Sequence, residues 1–283
     1  MRLIDSNVEE WFQEPGIDGV YKMIAKAGRI CYASTKEDDG KDFVTTCIKN
    51  KHKRPLEFGS VYLKIPTNCT EYRAKRLVDT LMHSHYTKYV NTNDNWYFST
   101  NYRVIVENNL EDCIDEYWSD DAKQYNERYY LHWTISRATA DSFRTHTMIS
   151  SLMQSTRYCN YSKGKFGGHL TLVRPYWINI PFGDYDYSIK EKQDFANFAP
   201  YEREYITNML NVECRYNLYT TEYKLPAEAA RSILPLDTKT EFIQCAFKND
   251  WNNFFSQRID GTTGKPHPDA KSVSEKARII IEK

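Results

Sequence analysis

The chain has 283 residues and carries 38 basic and 38 acidic side chains, so its formal net charge at pH 7 is zero. A balanced charge argues against the strong positive field that draws proteins to nucleic acid or to anionic membranes. We therefore expect no nucleic-acid partner and no membrane partner, and any affinity for an anion must come from a local group of residues.

The seven cysteines are odd in number and scattered, and they include no Cys-x-x-Cys pair. This pattern argues against a zinc site and against a disulfide framework. The N-terminus lacks a signal-peptide pattern, and no apolar run reaches the length that spans a bilayer. The sequence predicts one cytoplasmic domain over residues 1–283, with reduced thiols and no metal ion.

The first half of the chain mixes helical and strand periodicity. Apolar residues recur at helical spacing in two segments, whereas bulky and polar residues alternate in others. The predicted helices are residues 20–32 and 71–84, and the predicted strands are residues 57–65, 96–106 and 129–137.

The second half begins with a predicted helix after residue 137. Thr139 or Asp141 is its expected N-cap, because a short oxygen side chain accepts hydrogen bonds from the first free amides of a helix. Further along, the predicted elements are a strand at residues 170–180 and helices at residues 201–224 and 227–234. The mixture predicts an α+β fold in which helices pack on a mixed central β-sheet.

Residues 142–158 form the segment richest in ligand-binding side chains, here called the signature segment. Its two guanidinium groups, Arg144 and Arg157, suit bidentate binding of phosphate. His146, Ser150, Ser155 and Tyr158 add hydrogen-bond donors without adding negative charge. We interpret it as a helix-to-loop segment that binds a phosphate-bearing ligand.

The residues of this segment also allow a second interpretation. Met148, Ile149, Leu152 and Met153 are compatible with the core face of an amphipathic helix whose polar side is merely solvated. The segment by itself does not separate the two.

The signature segment resembles that of the flavin-dependent thymidylate synthases, which runs Arg-His-Arg, two residues, Ser, one residue, Asn-Glu, one residue, Ser, one residue, Arg-Tyr. The residues in register with it are His146, Ser150, Ser155, Arg157 and Tyr158. The departures are Thr145 and Thr147 at the two arginine positions, and Leu152 and Met153 at the asparagine and glutamate positions.

Other blocks resemble the same family in the same order along the chain. Residues 25–34 are similar to its first helix and the following turn. Residues 54–65 are similar to the strand that opens with Pro, Glu and His, with Phe58 in place of the histidine. A third block, residues 227–258, carries arginines at the family positions, Arg231 and Arg258. The resemblance leaves insertions near residues 66–128 and 259–268.

This resemblance implies a flavin-dependent thymidylate synthase. In that reaction NADPH reduces FAD, the reduced flavin delivers hydride, and methylenetetrahydrofolate supplies the one-carbon group that converts dUMP to dTMP. It also implies a homotetramer whose sites lie between subunits. The protein of such an enzyme positions ligands and stabilises charge, while the cofactor carries the redox chemistry.

The resemblance also implies roles for individual residues. Arg258 and Ser155 are the expected catalytic residues, because Arg258 would contact the pyrimidine edge and favour the charge that develops at C5. The expected substrate-binding residues are Arg157, Arg231, Thr156 and Tyr158. The expected cofactor-binding residues are His146, Arg144, Ser150 and Asn253. Without the motif, Arg231 and Arg258 would more readily be interpreted as ordinary helix-end cations or salt-bridge partners.

The departures fall mainly on the flavin side. Thr145 and Thr147 remove two charges, and each charge-assisted hydrogen bond contributes about 1.5–3 kcal/mol. Two alternatives therefore stay open: a catalytically impaired homologue that keeps the fold for nucleotide binding or a structural role, and a flavoenzyme that modifies another pyrimidine nucleotide.

Overall fold

The computed structural model describes residues 1–119 and 124–283. The α-helices in these ranges are α1 (Gly16–Arg29), α2 (Lys41–Lys49), α3 (Tyr72–Met82), α4 (Tyr102–Glu107), α5 (Glu111–Tyr117), α6 (Arg137–Phe143), α7 (Gln193–Asn197), α8 (Pro200–Thr221), α9 (Ala227–Ala230), α10 (Lys248–Arg258) and α11 (Pro268–Ile281). The strands are β1 (Arg2–Ile4), β2 (Asn7–Trp11), β3 (Ser60–Pro66), β4 (Lys88–Asn91), β5 (Asn95–Asn101), β6 (Arg128–Ser136), β7 (Ser150–Met153), β8 (Thr171–Val173), β9 (Gly183–Asp184) and β10 (Lys239–Phe247). Short 3-10 turns lie at Ile30–Tyr32, Pro55–Phe58, Gly164–Phe166, Tyr187–Glu191 and Arg231–Ile233.

The described strands form three sheets. The central sheet has the order β2-β6-β10-β7 and is antiparallel throughout. A second antiparallel sheet has the order β3-β5-β4, and the third has the order β8-β1-β9. The predicted α+β class is confirmed. Parallel pairing is found in the third sheet, between β1 and β8, and not in the central sheet.

One face of the central sheet is covered by α6, α10 and α11. Their shared core contains fully buried aromatic rings from β6, α6, β10 and α10, namely Trp133, Phe143, Phe242, Trp251 and Phe254. Each such ring removes roughly 150–250 Å² from water, which corresponds to about 4–6 kcal/mol at 25 cal/mol per Å². This packing fixes α10 against the sheet and thereby places Arg258, the last residue of α10, beside the end of α6.

The predicted insertion near residues 66–128 contains α3, β4, β5, α4 and α5. Its strand β5 pairs along all of β3, and its helices share a core with α1 and α2. Residues 120–123 of this range lie outside the described residues. The second predicted insertion, near residues 259–268, joins α10 to α11. That these two segments are insertions into a single domain stays a prediction.

Several predicted elements are confirmed by the structure. The helices predicted at residues 20–32, 71–84 and 201–224 correspond to α1 with the turn Ile30–Tyr32, α3 and α8. The strand predicted at residues 129–137 corresponds to β6. In each of these segments the apolar period matches the side that the core covers.

Other predicted elements have bounds that differ from those expected. The strand predicted at residues 96–106 stops at Asn101, whose side chain accepts a hydrogen bond from the Val104 amide and so begins α4. The strand predicted at residues 170–180 ends at Val173, and Pro175, which follows closely, cannot donate to a ladder. The strand predicted at residues 57–65 starts at Ser60, because residues 55–58 form a 3-10 turn.

None of the seven cysteines, all of which lie in the described ranges, forms a disulfide. Among residues 1–119 and 124–283, no helix combines the length and the apolar character needed to cross a membrane.

Candidate functional site

The signature segment begins at the end of α6, which follows β6 directly, and it also contains β7. Helix α6 begins at Ser136, whose hydroxyl accepts a hydrogen bond from the Thr139 amide at 3.2 Å. The predicted caps, Thr139 and Asp141, are therefore wrong, because both lie inside α6. After a turn, β7 pairs with β10, so that Leu152 faces Ile243. The interpretation of residues 148–153 as a helical core face is wrong, because residues 150–153 form strand β7, which pairs with β10 through backbone hydrogen bonds.

Arg258 and His146 form the first group of candidate residues. The Arg258 Nε donates to His146 Nε2 at 2.9 Å, and its Nη2 donates to the Ser142 carbonyl at 2.6 Å and to Thr145 Oγ1 at 2.9 Å. In the part of the chain that the structure describes, the Nη1 group of Arg258 has no hydrogen-bond partner. The guanidinium is thus held in one orientation by the start of the signature segment and keeps one nitrogen for a ligand.

His146 is neutral in this arrangement. The residue is only 8% exposed, and its ring is tilted against that of Phe254, with 4.8 Å between the ring centroids. Burial, with a further contribution from the Arg258 charge, lowers the pKa of His146 to about 4. Because Nε2 accepts from Arg258, the single ring proton is on Nδ1, which makes His146 a neutral donor at that atom.

The positions around this group explain one departure from the family pattern. Thr145 donates its hydroxyl to the Ser142 carbonyl at 2.8 Å while accepting from Arg258. Arg144 is half-exposed and forms an ion pair with Asp141 at 3.1 Å. Thr145 therefore supports Arg258 by hydrogen bonding. Arg144, the cation that precedes Thr145 in the chain, is already paired with the Asp141 carboxylate.

The second group lies in the loop after β7. The Ser155 amide donates to the Cys31 carbonyl at 2.9 Å, and the ring of Tyr158 lies 5.1 Å from the ring of Tyr32. Arg157 is exposed, and its Nε donates to Glu228 at 3.2 Å. Thr156, in contrast, is buried. These contacts seat the loop on the end of the first helical region and direct Arg157 toward α9.

Arg231 belongs to the same surface as Arg157. It follows Glu228 by three residues on the helical turn that runs from α9 into Arg231–Ile233, and residues three apart on such a turn are neighbours. The exposed Arg231 side chain makes no hydrogen bond or ion pair with residues 1–119 or 124–283. Arg157 is thus paired with a carboxylate that stands three residues before Arg231, which places Arg157 and Arg231 near the same helical turn.

A cavity of about 900 Å³ opens beside this loop. Its lining includes Gln154, which immediately precedes Ser155, and residues 33–35, which follow Tyr32. The lining also includes Lys239, Glu241 and His132. Ala33 enters the cavity wall in the left-handed conformation, with φ of 51°. The cavity adjoins the second group, although none of Arg157, Arg231 and Arg258 lines it.

Within one chain, the two groups do not share contacts. Arg258 is held by residues 142–146, whereas Arg157 is held by Glu228. Ser150 is buried opposite Cys245 in the central sheet, and Asn253 lies exposed on α10, where its carbonyl oxygens accept from Ser256 and Gln257. Among residues 1–119 and 124–283 no shared contact links Arg258 with Arg157 or Arg231, so the expected convergence of the three guanidinium groups on one nucleotide stays a prediction.

Of the remaining departures, Thr147 is exposed, whereas Phe58, Leu152 and Met153 pack against apolar clusters. Phe58 is fully buried with Met23, Ala27 and Ile243, and Leu152 packs against the same cluster. Met153 packs against the aromatic core under the central sheet. An apolar side chain is what these environments require.

Glu228 was not singled out from the sequence. Its position one helical turn before Arg231 was the available signal, because a carboxylate at that spacing can pair with a cation brought in from elsewhere. In residues 1–119 and 124–283 no group of three or more His, Cys, Asp or Glu side chains is arranged to hold a metal ion.

Comparisons with known proteins agree with the resemblance noted in the sequence. No curated protein matches the chain. Among solved structures, thymidylate synthase X from Helicobacter pylori, determined with FAD and dUMP, is 12% identical, with a TM-score of 0.40 over 96% of this chain and 91% of that chain. The UMP/dUMP methylase PolB from Streptomyces cacaoi, bound with 5-Br dUMP, is 12% identical, with a TM-score of 0.43 over 99% of this chain and 91% of that chain.

The family model described as thymidylate synthase complementing protein matches residues 127–275. That range is more than half of the 283 residues, and it contains the signature segment, α9, β10 and α10. On this match, the chain belongs to the family of thymidylate synthase complementing proteins.

Proposed function

We propose that this protein is a flavin-dependent thymidylate synthase that converts dUMP to dTMP with methylenetetrahydrofolate as the one-carbon donor and NADPH as the reductant of FAD. The observation that carries the proposal is the family match over residues 127–275, because every candidate site residue from Arg144 to Arg258 lies inside it. The FAD and dUMP of the H. pylori structure and the 5-Br dUMP of the S. cacaoi structure support the same ligand classes.

The second group of residues fits the phosphate of a nucleotide. Arg157 and Arg231 present two cations on one surface, against the single carboxylate of Glu228. The Arg157–Glu228 pair is exposed, and exposed pairs contribute only about 0–1 kcal/mol. A dianionic phosphate can therefore replace Glu228 at Arg157 at little cost. Ser155, Thr156 and Tyr158 would add hydroxyl donors at the same place.

The first group fits the pyrimidine edge. Arg258 is fixed through three hydrogen bonds and keeps its Nη1 group for a ligand. A donor held in advance at the oxygen of a pyrimidine stabilises negative charge as it develops, without reorganisation during the reaction. His146 holds its proton at Nδ1 and orients Arg258 through Nε2. We propose Arg258 as the catalytic residue, with His146 as the residue that positions it.

The flavin side fits less fully but retains suitable donors. Arg144 is a cation whose ion pair with Asp141 is exposed, and Ser150 is a buried hydroxyl that forms no side-chain hydrogen bond among the described residues. With Asn253 and His146, these are the residues that would hold FAD. When bound, the flavin supplies the hydride for the reaction.

We further propose that the two groups complete one site across a subunit interface of a homotetramer. Arg258 of one subunit would then meet Arg157 and Arg231 of another. Exposed apolar side chains at both groups support a partner at this surface: Tyr32 lies against Tyr158 in the second group, and Met148 follows His146 of the first group by two residues. This arrangement is the reason that one chain alone presents two half-sites.

A second candidate is a nucleotide-binding homologue without flavin chemistry. The burial of Phe58 in an apolar cluster, together with hydroxyls at positions 145 and 147, favours it, because these positions offer no charge to a flavin phosphate. The nucleotide side, with Ser155, Arg157 and Arg231, would remain intact.

The absorbance spectrum of the purified protein, with and without added FAD, tests the choice. A retained oxidised-flavin band, dUMP binding by calorimetry and dTMP formation with methylenetetrahydrofolate and NADPH are the expected results. If the purified protein is colourless and binds dUMP but not FAD, the synthase proposal is rejected in favour of the second candidate. Bound flavin without dTMP formation would instead indicate another pyrimidine nucleotide, which the same assay with UMP would reveal.

A further inference from the structure

Arg128, the first residue of β6, is a buried cation without a carboxylate partner. The residue is 6% exposed. Its Nη1 donates to Ser60 Oγ at 3.1 Å and its Nη2 donates to the Glu57 carbonyl at 2.9 Å, both of which are neutral acceptors. The Glu57 carboxylate is instead paired with Arg103 at 2.7 Å and with Arg54 at 3.4 Å. In the described part of the chain, Arg128 forms no ion pair.

The ionisable side chains of Cys245 and Tyr130, which lie near Arg128, do not provide the missing negative charge. Burial raises the pKa of the Cys245 thiol to about 11, and burial also raises the pKa of Tyr130 well above its usual value. Both groups are neutral near pH 7. A buried charge left without a counter-ion is costly, and such charges in proteins are normally paired or bind a ligand.

A cavity of about 150 Å³ lies beside Arg128, and the register of the central sheet places Ser150 at the same cavity. Arg128 is opposite Phe247 and Ser150 is opposite Cys245, so both lie on the face of the central sheet that carries Cys245 and Phe247. All four of these residues line the cavity. Ser150, also buried, forms no side-chain hydrogen bond with any described residue.

Asn101 completes the polar lining of this cavity. The residue is 1% exposed, and its Oδ1 caps α4 by accepting from the Val104 amide. Its Nδ2 group has no hydrogen-bond partner among residues 1–119 and 124–283. Because this nitrogen is not sealed off in the core and Asn101 lines the cavity, it is accessible to an occupant that accepts a hydrogen bond.

The charges around the cavity leave a net positive charge. Lys88 and Asp250, which also line it, form an ion pair at 3.2 Å and so balance one another. Arg128 remains the cation that has no carboxylate at ion-pair distance, and the Glu57 carboxylate, which acts on it at longer range, is already paired with Arg103 and Arg54. An occupant with negative charge and several acceptor oxygens would satisfy Arg128, Asn101 Nδ2 and the Ser150 hydroxyl together.

We propose that the cavity lined by Arg128, Asn101 and Ser150 binds a phosphate-type oxyanion. A cavity of about 150 Å³ accepts a molecule as large as benzene, so a single phosphate group fits. The anion is either free inorganic phosphate or a phosphate group of a bound nucleotide or dinucleotide. This site is distinct from the surface of Arg157 and Arg231, and it exists whether or not the protein is a methylase.

Isothermal titration of the full chain with inorganic phosphate, in chloride buffer at constant ionic strength, tests the site. Arg128→Met is expected to weaken phosphate binding about tenfold or more, the loss of one charge-assisted hydrogen bond. Arg174→Met is the matched control, because Arg174 also donates to a backbone carbonyl and lies over a phenylalanine ring, but outside this cavity.

Asn101→Asp guards against a variant that only fails to fold. Its carboxylate keeps the acceptor that caps α4 and places a negative charge beside Arg128, so phosphate binding should be lost while the protein stays folded. Equal phosphate affinity in the wild type, Arg128→Met and Asn101→Asp overturns the proposal, as does the absence of phosphate binding to the wild type.

Competition identifies the source of the phosphate. If dUMP or FAD displaces inorganic phosphate from the wild type and binds Arg128→Met more weakly, the anion is part of that ligand. If neither displaces it, the site holds free phosphate. Deoxyuridine, which lacks the phosphate, should displace nothing in either case.

Discussion

His146 should make the protein less stable in mild acid. Its pKa is about 4 in the folded chain, against an ordinary value of 6.5, because burial and the adjacent Arg258 disfavour the charged ring. Unfolding exposes the ring, which then binds a proton at any pH between these two values. The free energy of unfolding therefore falls as the pH falls from about 6.5 toward 4.

The magnitude follows from the two pKa values. One pKa unit corresponds to about 1.4 kcal/mol, so His146 should remove about 2 kcal/mol of stability between pH 7 and pH 5, and about 3 kcal/mol by pH 4. His146→Gln isolates this contribution, because the Gln carbonyl oxygen can accept from Arg258 Nε but does not titrate. The pH-dependent loss should be about 2 kcal/mol smaller in this variant at pH 5.

Urea unfolding followed by tryptophan fluorescence, at pH 7, 6 and 5 and one protein concentration, measures the difference. His83→Gln is the control, since the His83 side chain is 80% exposed and contacts only the end of α3. It should follow the wild-type curve. Identical pH dependence in His146→Gln and the wild type would refute the assignment of a buried neutral histidine that accepts from Arg258.

Three further substitutions test the nucleotide surface and the core. Arg157→Gln should weaken dUMP binding about tenfold or more in calorimetry while changing the free energy of unfolding by less than about 1 kcal/mol, because its ion pair is exposed; unchanged affinity would contradict a phosphate role. Glu228→Gln should tighten dUMP binding, because it releases Arg157 from a competing carboxylate, and weaker binding would count against the proposed surface. Glu57→Gln should lower the free energy of unfolding by about 3 kcal/mol, because the Glu57 side chain is 1% exposed and pairs with Arg103 at 2.7 Å. Glu282→Gln, at an exposed position, is the control. An equally small loss of stability in both variants would show that the Glu57–Arg103 pair is not a buried one.

The side-chain types of the signature segment were readable from the sequence, but its secondary structure was not. Short runs such as residues 148–153 fit either a helical or a strand period, so periodicity could not decide between them. Residues 150–153 form a strand because β10, which lies about 90 residues further along the chain, supplies their hydrogen-bonding partner. A pairing partner at that distance leaves no trace in the local pattern.

The binding partners of charged residues were equally beyond the sequence. Arg258 was expected at the pyrimidine, and the structure adds that His146, Ser142 and Thr145 hold it. Thr145 had been counted only as a lost arginine. Arg128 drew no attention, because a cation at the start of a predicted strand is usually solvated, and only the packing around Ser60 and Phe247 makes it a buried charge.

The amino-acid sequence by itself determined the α+β class, the long helices α1, α3 and α8, the strand β6 and the types of residue available for an anionic ligand, because these depend on local periodicity and side-chain chemistry. Tertiary structure alone decided that residues 150–153 form a strand, that Arg157 and Arg231 share a surface while Arg258 lies with His146, and that Arg128 is buried without a carboxylate. Burial and charge pairing are set by residues far apart in the chain, so they arise only when the sheets and helices pack together.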